Sequence, residues 1–277
     1  NALTSAQISK LSAAAIPGMT TSSIVALETL EVKQLTATQL SKMSSAQVSA
    51  LLTEQVVALS TAAVSGLSNA ALLGMSDAQV TALTSDQISK LTASQITAFT
   101  GSDLNLFSDA ELQAITTEQA AALTATQLSG LSAAKFAVLE TLDVKSLNAD
   151  ALSAMGTAQI VNFTTSQAAA LTGAQLAKLT TAQIANFETA DLVAIQPTAI
   201  KSLTPAQMKA LTTSQVAQLA TAQIAALTGT QLASMETADL STLSSVQVGA
   251  LSNTQLVSLS AAQKEILSTK MAGEQIA

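Results

Sequence analysis

The chain has 277 residues, with 18 Asp and Glu against 11 Lys and a net charge of −7 at pH 7. Arg, His, Cys, Trp and Tyr are absent, and five Phe are the only aromatic residues. This balance argues against nucleic acid as a partner, which needs clustered cations and stacking rings, and it removes disulfides, thiolate or imidazole metal sites, and every triad built on His or Cys.

The chain opens on Asn1 in mid-phrase, with no charged-then-apolar signal segment, and reads as a processed protein or a piece of a longer one. From Leu3 to Ile266, frames of eight then follow one another without insertion or deletion, giving 33 units. The first, LTSAQISK at 3–10, shows the grammar of the rest. Position 1 is Leu, Met, Phe or Ile in all 33 units, and position 6 is aliphatic or Phe in nearly all. Position 2 is Ser or Thr in 24 units, and position 5 is Gln, Glu or Asp in 26. Ser/Thr followed three residues later by Gln is a capping box, in which the hydroxyl takes the N3 amide and the Gln reaches back to the N-cap amide. Positions 1 and 6 then become the two halves of a hydrophobic staple. Each octapeptide therefore starts a new short helix.

A continuous helix does not fit. Eight residues advance about 800°, so an apolar stripe would slip about 80° per repeat. A strand fails because positions 1 and 6 have opposite parity. The pattern predicts an all-α solenoid of about 33 octapeptide repeats, each a capped helix of roughly five or six residues plus a corner, with positions 1 and 6 filling a narrow core. Whether three or four repeats close one coil is left open.

Along the chain, the first departure is LETLEVKQ at 27–34, where Glu28 and Glu31 occupy positions 2 and 5. The same double acid recurs as Glu140/Asp143, Glu188/Asp191 and Glu236/Asp239, the last three pairs 48 residues apart. The favoured reading is that Glu replaces Ser/Thr beside a positive helix end in a duplicated block of six repeats. The functional reading makes these eight residues candidate Ca²⁺ ligands, although a calcium site needs six to eight oxygens and no D-x-D-x-D-G loop is present. Phe99, Phe107, Phe163 and Phe187 all hold position 1 and read as core fillers rather than a stacking platform. Pro197 and Pro205 sit at position 3, the N1 site of each helix, where a missing N–H is harmless. Pro17, at position 7, is the exception. Evenly spaced hydroxyls raise ice or glycan binding, but the position-2 hydroxyl is already committed to a cap. The C-terminus puts Lys264 at position 6 and Ile266 at position 8, which predicts a longer helix beginning near 260 and ending near Gly273. The expected division is a solenoid over 1–266 and a capping segment over 267–277.

The phrase L-T-x-x-Q-[ILV]-x-x, as in LTTAQIAN at 179–186 and LTPAQMKA at 203–210, resembles octapeptide-repeat tracts of large secreted and cell-surface, adhesin-like bacterial proteins. The resemblance implies an extracellular or bacterial cell-surface, extended, non-enzymatic module, and it carries no catalytic residue with it. No apolar run reaches the roughly 18 residues a membrane helix needs, and no Gly-rich phosphate loop is present. The expected role is a rigid stalk or spacer, or the subunit of a filament. The partners are then other cell-surface components or the chain itself, end to end. The alternative is ligand binding by the outer surface, with Ca²⁺ at the acidic pairs, a glycan or ice as the ligand.

Overall fold

The computed structural model describes residues 4–272, with side chains to 270. Among these residues there are 31 α-helices and two 3-10 helices, and no strand. Every α-helix before the last is four to six residues long, because a new cap interrupts it at the next repeat. The cap acts as expected: Thr92, for example, is extended at φ −74°, ψ 159°, and its hydroxyl accepts the Gln95 amide at 3.1 Å. Gln95 Oε1 accepts the Thr92 amide in return, at 2.7 Å.

The corner has a simple backbone. Leu91 at position 1 and Thr92 at position 2 are both extended, and the Leu91 amide donates to the Ile88 carbonyl at 3.1 Å to finish the preceding helix. No described residue has a positive φ. Each helix thus ends without a left-handed glycine, because the capped residue of the following helix holds the chain extended. The two 3-10 helices, Ala13–Gly18 and Val64–Gly66, fall in repeats with Ala15 and Ala63 at position 5, where no Gln can close a box. Pro17 lies inside the first of them, where its ring is incompatible with a continued α-helical turn.

The coils form two compact units, divided between Leu147 and Asn148. Within each, a helix packs against the third helix before and after it; Ala93–Ile96 lies against Thr117–Ala122, and Thr165–Ala170 against Thr189–Ala194. Side-chain bonds between successive coils span 25 to 31 residues, so one coil closes in between three and four octapeptides. Positions 1 and 6 form the core. Position 6 is buried from Ile8 to Val248, and position 1 from Leu27 to Leu259. Phe99 packs edge-on against Phe107 at 5.4 Å between centroids in the first unit, and Phe163 against Phe187 at 5.5 Å in the second. At one close approach of two coils there is no room for a side chain: a Cβ on Gly101 would lie 2.7 Å from the Gly130 Cα. The last helix, Ala261–Ala272, is twelve residues long, with Lys264 exposed, Ile266 half-buried and Leu267 buried. The expected stop near Gly273 lies outside the described residues. No helix among them is long and apolar enough to cross a membrane.

Candidate functional site

Position 5 does more than close a cap. From Gln39 onward the Gln side chains there are almost wholly buried, Gln87 at 1 % exposure and Gln119 at 2 %, while Gln7 is exposed. With Oε1 held by its own cap amide, Nε2 points into the preceding coil. Gln39 Nε2 donates to the carbonyls of Ile8 and Leu11 at 2.8 and 2.9 Å. Gln87 donates to Val56 and Leu59, each at 2.8 Å, and Gln207 to Leu176 and Leu179 at 2.8 and 2.6 Å. A bond to the carbonyl 28 residues earlier recurs along both units at 2.6–2.9 Å. One amide therefore starts a helix and ties it to the corner beneath. A carboxylate has the acceptor for the first task and lacks the donor for the second.

That distinction sorts the acidic residues. Where a Ser or Thr caps the helix, an acid at position 5 still completes the box. Asp103 Oδ2 accepts from the Thr100 amide and hydroxyl at 2.7 and 2.8 Å, and Glu111 Oε2 accepts from the Ser108 amide at 2.7 Å. Both are half-buried. The candidate pairs behave differently. Glu28, Glu140, Glu188 and Glu236 are exposed N-cap residues, and none accepts a capping hydrogen bond through its side chain. Their partners Glu31, Asp143, Asp191 and Asp239 are buried. Glu31 is long enough to accept the Glu28 amide at 2.8 Å. Glu236 also lies 3.7 Å from Lys209.

Asp143 and Asp191 stand apart. Each has a buried Oδ2 with no hydrogen-bond partner. Burial, with a smaller contribution from Glu140, pushes the Asp143 carboxyl up to about 6. Burial also raises Asp191; the Thr165 hydroxyl, 2.9 Å from Oδ1, pulls it back, and Glu188 pushes it up again. Geometry thus brings each candidate pair together as near neighbours on one cap, but joins no pair to a further acid: among the described residues no group of three or more acidic side chains converges. A calcium shell of six to eight oxygens would need more than such a pair supplies.

The donating role of Gln is what sequence reading misses, because its partners lie 28 and 31 residues away. A sequence signal for it exists. Position 5 holds Gln 20 times and Glu twice, although a capping box accepts either and the helix dipole favours the anion.

A family model described as the ALTTAQ repeat matches residues 24–61, 136–173 and 184–221. Each matched stretch begins at position 6 just before a repeat with the double acid, at Glu28/Glu31, Glu140/Asp143 and Glu188/Asp191. The repeat tract is thereby similar to that family over three stretches, which together make up less than half of the chain. No curated protein matches it.

Proposed function

We propose that the chain is a non-enzymatic spacer of a bacterial cell-surface or extracellular protein, and that its work is to hold a distance. The observation that carries this reading is the Gln ladder. Every rung fixes one helix start to the corner of the previous coil through a buried side chain, as at Gln119 with Ile88 and Leu91. Such ties are spent on stiffness between neighbouring coils, and a repeat array adds length in steps of one unit without a new core. The recurring Ser, Thr and Gln of positions 2 and 5 are engaged in caps and rungs, which leaves the repeats free to vary in number.

Negative-stain electron microscopy across a concentration series tests it. Particles of one length at every concentration support the spacer. Particles that lengthen with concentration would make end-to-end assembly the function instead, and particles of no defined length would remove rigidity from the argument. Protease shaving of intact cells that carry the parent protein checks the surface location; protection of the repeats until lysis would refute it.

A further inference from the structure

Asp143 and Asp191 occupy the rung position yet present an oxygen where Gln presents an N–H. By the register of the ladder, the carbonyls 31 and 28 residues earlier are those of Leu112 and Ile115 for Asp143, and of Ile160 and Phe163 for Asp191. A buried carboxylate turned toward those carbonyls would set acceptor against acceptor, with no N–H to offer them. Their Oδ2 atoms are buried and have no hydrogen-bond partner, as such a mismatch requires. We propose that Asp143 and Asp191 are proton-operated rungs: protonated, each carboxylic acid donates toward the preceding coil as Gln does elsewhere, and ionised, each leaves its rung open.

A proton fits where a metal ion does not. The Oδ2 atoms are sealed from solvent, and a proton needs one donor and one acceptor rather than a coordination shell. Among the described residues neither Asp143 nor Asp191 forms one of the ion pairs that join Lys135 to Asp109, Lys178 to Asp150 and Lys209 to Glu236. Asp191 faces Glu188 on its own cap, while the helices packed against it, Thr165–Ala170 and Thr213–Gln218, carry no charged residue. Asp143 has Glu140 on its cap, exposed Lys145 on its own helix, and Glu118 on the helix Thr117–Ala122 against which it packs. Asp109 and Glu111 lie on the helix Asp109–Gln113, and Asp109 is paired with Lys135 at 3.0 Å. The carboxyl titration agrees in sign. Asp143 is raised from 3.8 to about 6 in the folded chain, so the folded state binds the proton more tightly than the unfolded one. Its contribution to stability is then full below about pH 4 and is lost as pH rises through about 6. That is the reverse of an ordinary salt-bridged carboxylate.

The test is the melting temperature of the full chain between pH 7.5 and 5, with Asp143→Asn/Asp191→Asn as the altered protein. Asp77→Asn/Asp86→Asn, which removes two exposed charges, is the control. The native chain and the control should melt several degrees higher at pH 5 than at 7.5. The rung variant should melt higher than the native chain at pH 7.5 and lose most of that slope. Equal slopes in all three, or a native chain that weakens on acidification, would overturn the proposal. Should the rung variant fail to fold, ¹³C-carboxyl NMR of the native chain decides: two Asp signals titrating above the rest support it, and none doing so refutes it.

Discussion

Two repeats of the first unit, 115–122 and 139–146, stack directly on one another and differ at both cap positions, Thr116 and Gln119 in one and Glu140 and Asp143 in the other. Both form helices of six residues, Thr117–Ala122 and Thr141–Ser146. In the lower one, Thr116 and Gln119 close a full box, with bonds of 2.8 and 3.3 Å, and Gln119 donates to two carbonyls of the coil before. In the upper one, Glu140 caps nothing through its side chain and Asp143 leaves Oδ2 without a partner. The helix survives the loss of its cap bonds because its length is set by the next corner and its place by Val144, fully buried at position 6. The helix therefore forms without either set of bonds, and in the lower repeat one Gln side chain supplies both the cap acceptor and the tie to the coil before.

The sharpest way to break the difference is to make the lower repeat resemble the upper. Gln119→Glu keeps the cap acceptor, removes both donated bonds and buries an anion against carbonyls. It should cost about 3–5 kcal/mol at pH 7.5, read from urea denaturation, and part of the loss should return at pH 5. A full-sized loss that is insensitive to pH would show that packing, and not charge, is what the rung protects. Gly101→Val tests the coil spacing without touching a rung. Its Cβ would meet the Gly130 backbone, and the forced separation should cost about 1–3 kcal/mol with no dependence on pH.

How much of this was legible in the sequence follows from distance along the chain. Thr92 and Gln95 are three residues apart, and Leu91 and Ile96 five, so cap, staple and helix start are written inside one octapeptide. Gln95 and its acceptors Val64 and Leu67 are 31 and 28 residues apart, and no local pattern names that partner. The number of repeats per coil was hidden for the same reason, since a period of eight is identical whether three or four close a turn. The acidic pairs were visible as an anomaly. Their meaning was not, because a helix dipole explains Glu140 equally well when the burial of Asp143 is unknown. The excess of Gln over Glu at position 5 was the available clue, and it points to the amide N–H.

The smaller effects separate the two tasks cleanly. Thr116→Ala removes a cap hydroxyl that accepts the Gln119 amide and leaves the rung in place, so it should cost about 1 kcal/mol without altering the pH slope. Glu140→Gln is the matching change in the upper repeat. Because Glu140 makes no capping bond, it has none to lose, and the chain should unfold at no lower urea concentration than the native one. Its one measurable effect should be electrostatic. Glu140 is the smaller of the two causes that raise Asp143, so removing its charge should lower the Asp143 titration midpoint while burial keeps it above 3.8. A midpoint that falls all the way to the ordinary value would mean that repulsion between the two carboxylates, rather than the closed coil around Asp143, is what distinguishes this repeat from the one beneath it.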